Sequence, residues 1–116
     1  MKVYVDASYD WNKTVNGTGT GKICVIVGRK KPIIEEITIS VPGLKQLNNR
    51  FELLAIKRGL ELGGEDCEVY SDSSVAVGWA KNKRVKWISR EKNLAGKVFD
   101  DEKEVGKMKI ISWNKN

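Results

Sequence analysis

The stretch LNNRFELLAIKRGLEL, residues 47–62, sets its leucines, isoleucine and phenylalanine at helical spacings and closes on Gly63 and Gly64, the residue type favoured at a helix C-terminus. It predicts one well-formed helix, and Pro42-Gly43 ends the segment ahead of it. Upstream, residues 2–9 alternate, with Val3, Val5 and Ala7 on one face and Tyr4, Asp6 and Ser8 on the other, the period of a strand. KICVIVGR (22–29) reads as a second strand, and Pro32 separates it from a third, IIEEITISV (33–41). The polar DWNKTVNGTGTGK (10–22) reads as the turn between the first two, with Gly17, Gly19 and Gly21 as hairpin glycines. Downstream follow a short strand, CEVYSD (67–72), a short helix or turn, SSVAVGWAKN (73–82), a helical segment, NLAGKVFDDEKEVGK (93–107), and a last strand, KMKIISWN (107–114). Three antiparallel strands followed by alternating helices and strands predict an α/β fold, a mixed sheet with helices on both faces.

A chain of 116 residues supports one core, so a single domain over 1–116 is expected. No apolar run approaches the roughly 18 residues of a membrane span, and MKVYVDAS lacks the pattern of a signal peptide, so a cytoplasmic location is the expectation. Cys24 and Cys67 lie in separate strand-like runs and read as buried free thiols. The sequence contains no histidine, which excludes imidazole-based triads and leaves carboxylates as the natural acids, bases or metal ligands. The net charge of +6 and pI near 9.4 favour a polyanionic partner, of which nucleic acid is the commonest.

Three carboxylates have ordinary explanations when taken singly. Asp6 could cap a turn at a strand end; Asn49 followed three positions later by Glu52 has the form of a capping box; Asp72 could cap the helix after CEVYS. Together they differ. An acid in an early strand, one in the first turn of the main helix and one at the C-terminal end of the next strand can converge on one edge of a mixed sheet. Clustered like charges repel unless divalent cations occupy the group, and oxygen ligands without His or Cys favour magnesium or manganese.

VYVDAS, NNRFELLAI and VYSDSS together resemble ribonuclease H type 1, and the resemblance runs over nearly the whole chain. It implies an RNase H-like fold, a five-stranded mixed sheet with helices on both faces, and hydrolysis of the RNA strand of an RNA–DNA hybrid with two Mg2+ or Mn2+ ions. Asp6 would bridge the ions, and Glu52 and Asp72 would complete the ligand set. One ion would activate the attacking water and the other stabilise the leaving oxygen, the two about 3.5 to 4 Å apart. By the same resemblance Asn12, Asn48 and Asn49 fall where the family reads the hybrid's minor groove, Ser73 stands beside Asp72 on the substrate side, and Glu52 lies near a 2′-hydroxyl.

The family pattern also includes a fourth carboxylate in a C-terminal helix after the fifth strand. Taking KMKIISWN as that strand leaves this helix missing and implies weakened activity or a catalytically impaired binding module. Asp10, Asp100, Asp101 or a second chain are then the candidates for the fourth acid, and the uncovered strand suggests a homodimer through the sheet edge. A competing register takes VKWISREKN (85–93) as the fifth strand and NLAGKVFDD (93–101) as the last helix, placing Lys97 at the acid position. Ala7 replaces a usual Gly; Leu47 stands where a Thr often grips a DNA phosphate, with Lys45 as a compensating cation. AKNKRVKW occupies the place of a basic protrusion, so Lys81, Lys83, Arg84 and Lys86 are candidate contacts to the DNA backbone, with Trp79 or Trp87 nearby. NGTGTGK lacks the spacing of a phosphate loop, and the DDEKE run reads as an exposed helical face.

Overall fold

The computed structural model describes residues 1–15, 18–40, 45–105 and 110–114, with side chains within 1–9, 19–40 and 45–100. Its elements are β1 (Lys2–Val15), β2 (Thr18–Val27), β3 (Ile33–Ser40), α1 (Leu47–Gly63), β4 (Glu68–Ser71), α2 (Ser74–Ala80), β5 (Val85–Trp87), a 3-10 turn (Arg90–Lys92), α3 (Leu94–Val105) and β6 (Ile110–Asn114). They form one mixed sheet in the order β5-β4-β1-β2-β3-β6. The β1/β2 and β2/β3 pairs are antiparallel, and the β1/β4, β4/β5 and β3/β6 pairs are parallel.

The alternating pattern of β1 and β2 decides the layers. Val3, Val5, Ile23 and Val25 join Phe51, Ala55, Ile56 and Val69 in the core under α1, while Cys24, Ile26 and Ile34 face the other way and pack on Ala95 and Phe99 of α3. KICVIV is apolar at successive positions because helices cover both of its faces. Two glycines let α1 approach the sheet closely. A Cβ on Gly59 would stand 2.7 Å from Val5 Cγ1, and one on Gly63 would stand 2.7 Å from Cys67 Sγ and from Val3 Cγ2. The buried Glu35 carboxylate accepts a 2.7 Å hydrogen bond from Arg58 Nε, which ties β3 to α1. Cys24 and Cys67 are buried and free, as expected.

The expected five-stranded mixed sheet is present as β5-β4-β1-β2-β3, but its fifth strand is Val85–Trp87, within the competing register's VKWISREKN, and Ile110–Asn114 adds β6 beyond β3. This corrects the expectation of a missing helix, because the helix that follows the fifth strand is α3. The three-residue β5 is too short for its periodicity to show in the sequence, whereas the longer apolar run KMKIISWN is conspicuous. The uncovered strand invoked for dimerisation is accordingly a sixth strand paired parallel to β3. The stretch read as a turn is largely strand: β1 runs to Val15, and Gly19 and Gly21 lie in β2. No helix among the described residues is long and apolar enough to cross a membrane.

Candidate functional site

Parallel pairing aligns Tyr4 with Tyr70. Two residues further along each strand stand Asp6 and Asp72, so the register carries both acids to the same end of neighbouring strands, and the period of two puts them on the same face as the stacked tyrosine rings. Glu52 comes from α1 on the opposite face and reaches the sheet end, where its Oε1 accepts a hydrogen bond of 2.8 Å from the Ala7 backbone N–H. One ligand atom from each of Asp6, Glu52 and Asp72 lies within 4.8 Å of the others.

The capping explanations for these acids are not the ones the backbone uses. Helix α1 starts at Leu47 after Gln46, so Glu52 lies inside the helix with its carboxylate on β1, and Asn49 instead donates to Gln46 Oε1 at 3.2 Å. Ser73, not Asp72, caps α2 by accepting from Ala76 N at 3.2 Å. This leaves the Asp72 carboxylate turned to the site.

Burial, reinforced by the charge of Asp72, pushes the Asp6 carboxyl up to about 6, even though Arg90 acts in the opposite direction. Burial, then Asp6 and Asp72, push Glu52 up to about 9. The neighbouring acid charges thus oppose ionisation of Asp6 and of Glu52, and a divalent cation would offset that opposition. The donor set is all oxygen, which fits magnesium or manganese.

A residue without a sequence assignment holds one member of the trio. Asn93 is fully buried, and its Nδ2 donates to Asp72 Oδ2 at 3.1 Å and to the Val5 carbonyl at 2.9 Å. Its Oδ1 accepts from Ala95 N at 3.2 Å, capping α3. The capping half of this role was legible, since an Asn directly before an apolar helical run is an N-cap signal. The reach to Asp72, 21 residues away in sequence, was not.

A family model for RNase H matches residues 1–115. The chain belongs to the RNase H family. No curated protein matches it significantly. Among solved structures it is similar to the N-terminal RNase H domain of a Mycobacterium tuberculosis protein, solved as a fusion with maltose binding protein, at 14% identity and TM-score 0.45, covering 91% of this chain and 97% of that one. It is also similar to RNase H1 from the halophilic archaeon Halobacterium salinarum, at 16% identity and TM-score 0.43, covering 86% and 97%.

The remaining candidate residues of this RNase H family member are dispersed. Lys45 and Asn48 are exposed at the start of α1, where the Lys45 carbonyl accepts from Arg50 Nε at 3.0 Å and the Arg50 guanidinium stacks over Trp79 at 5.6 Å. Lys83 and Lys86 are exposed, the latter with its Nζ 3.7 Å from Glu68 Oε2. Arg84 lies at the other end of β4 from Asp72, and its guanidinium donates to the carbonyls of Gly64 and Glu65 at 2.7 and 2.6 Å, holding the turn after α1. Trp79 and Trp87 are exposed, and Trp87 Nε1 donates to the Asp72 carbonyl at 3.2 Å. The side chains of Asn12, Asp10 and Asp101 lie outside those described, whereas Asp100 lines a cleft beside Asp6 together with Arg90 and Lys97.

Proposed function

We propose that the chain is a divalent-metal-dependent endonuclease that hydrolyses the RNA strand of RNA–DNA hybrids. The observation that carries this reading is the convergence of Asp6, Glu52 and Asp72 from β1, α1 and the end of β4 in a member of the RNase H family. Those three residues would hold magnesium or manganese. When bound, the cation supplies Lewis-acid polarisation of a phosphodiester and a more acidic water.

The protein's own part is positional. The Ala7 N–H and the Asn93 amide fix the Glu52 and Asp72 carboxylates, so the ligand atoms need little rearrangement on binding. Lys45, Asn48, Asn49 and Ser73, with Asn12, are the proposed substrate-side residues at the α1 end and beside Asp72, and Lys83 and Lys86 are proposed contacts to the DNA backbone. Arg84 is a weaker candidate, because its guanidinium is already engaged by two carbonyls.

A second reading, a hybrid-binding module with impaired cutting, draws on Lys97, a cation on the α3 side of Asp6 where the family resemblance leads one to expect an acid. Cleavage of a labelled RNA strand, paired with DNA and alone, in Mg2+ or Mn2+ separates the two. The nuclease reading expects metal-dependent cutting confined to the hybrid and lost in Asp72→Asn. Tight hybrid binding without cutting supports the module instead.

A further inference from the structure

Of the three acids, only Asp6 also borders a neighbouring cleft of about 350 Å³. Its walls are β1 just past Asp6, the 3-10 turn carrying Arg90 and Glu91, and α3 with Gly96, Lys97 and Asp100. Gly96 brings the helix backbone directly against the acid, since a Cβ there would lie 3.3 Å from Asp6 Oδ2. No side chain therefore stands between Asp6 and the groups on this wall of α3.

The charges on those walls decide what the cleft can hold. Arg90 and Lys97 are exposed and make no ion pair with another described residue. A second divalent ion on this side of Asp6 would meet two cationic side chains. A phosphate oxygen drawn toward the acid site would meet the same two groups as partners, and a guanidinium can hold it through two donors. Glu91 and Asp100 are exposed as well, and Asp100, one helical turn beyond Gly96, is the group that a second ion would have to use.

We infer that this cleft is a phosphate subsite, in which Arg90 and Lys97 hold oxygens of a nucleic-acid backbone phosphate, and that Asp6, Glu52 and Asp72 work with one divalent ion rather than two. The inference rests on the nuclease reading given above and goes beyond it in the number of ions and in the two side chains that replace one of them.

Two measurements on the full chain test it. Bound Mn2+ is counted by electron paramagnetic resonance, with the protein alone and with a DNA strand paired to a 2′-fluoro-substituted RNA strand, checked to remain uncut. Affinity for an unmodified RNA–DNA hybrid is then measured in chelator across a range of salt, for wild type, Arg90→Ala and Lys97→Ala. The expected result is one Mn2+ per chain in both conditions. Each substitution should weaken hybrid binding roughly tenfold and make the salt slope shallower by about one. Both positions are exposed, so the variants should stay folded, as circular dichroism and an unchanged denaturant midpoint would verify.

Any other Mn2+ count overturns the single-ion assignment, above all a second ion lost in Asp100→Asn. Unchanged affinity and salt slope in both alanine variants overturn the phosphate subsite. A chain that meets the expectations yet never cuts a hybrid defeats the nuclease reading and leaves the subsite standing, and a chain that binds no hybrid defeats both.

Discussion

The amide of Asn93 bridges two strands, donating to the Asp72 carboxylate at 3.1 Å and to the Val5 carbonyl at 2.9 Å while its oxygen caps α3. One buried side chain thus couples the position of a candidate metal ligand to the seating of the helix that walls the neighbouring cleft. Asn93→Asp keeps nearly the same shape and the acceptor for Ala95, but loses both donors and adds negative charge beside Asp72. It should remain folded while binding Mn2+ at least tenfold more weakly, in line with the typical 10–100-fold cost of losing a partner that orients a ligand. Circular dichroism together with Mn2+ titration checks this, and an unchanged Mn2+ affinity would show that Asn93 serves only as a helix cap.

The raised acids make stability depend on pH in the metal-free protein. The folded pKa values of about 6 for Asp6 and about 9 for Glu52 lie above the ordinary 3.8 and 4.5, so the folded state retains protons that the unfolded chain gives up. Their contribution to stability is fully present below about pH 4 and is lost as pH rises, through about 6 for Asp6 and through about 9 for Glu52. Denaturant melts in chelator between pH 5 and 9 should show this decline, and Glu52→Gln, which cannot ionise, should flatten it.

Metal binding should release protons for the same reason. At pH 7 Glu52 is largely protonated and Asp6 largely ionised, so uptake of Mn2+ should displace about one proton, and affinity should rise about tenfold per pH unit until Glu52 ionises near pH 9. Calorimetric titration in buffers of different ionisation heat measures the number directly. Proton release close to zero would mean that the ion binds away from Glu52.

The close seating of α1 predicts a cost in stability alone. Gly59→Ala places a methyl 2.7 Å from Val5 Cγ1 and 3.3 Å from Cγ1 of Val3 and of Val69, all three buried. Overpacking of this kind should destabilise by about 1–3 kcal/mol, measured as a lower denaturant midpoint at unchanged slope.

Much of this organisation was legible in the residues, and the failures have physical causes. VYVDAS and CEVYSD carry strand periodicity with an acid at the same phase, and NNRFELLAIKRGLEL is long and strongly periodic, so the sheet-and-helix architecture could be read from the residues, while the three acids were singled out only by their combination and the resemblance to ribonuclease H. Strand Val85–Trp87 was legible only as the competing register: three residues in a basic stretch show no period, and their strand character comes from pairing with β4. That one ambiguity moved the fifth strand to KMKIISWN and made α3 seem an extra helix with the last one absent. Arg84 looked like a phosphate contact because composition records charge and not direction; only the fold turns it toward the carbonyls of Gly64 and Glu65. Asn93 escaped notice as an organiser of the site because hydrogen bonds to Val5 and Asp72, 88 and 21 residues distant, leave no local pattern.

Diffraction from crystals of the protein soaked in Mn2+, recorded for manganese anomalous scattering, addresses most directly whether Asp6, Glu52 and Asp72 form a metal centre. An anomalous peak within about 2.0–2.4 Å of oxygens from all three carboxylates is expected. Manganese bound elsewhere, or its absence between the three at saturating concentration and pH above 7, would contradict it.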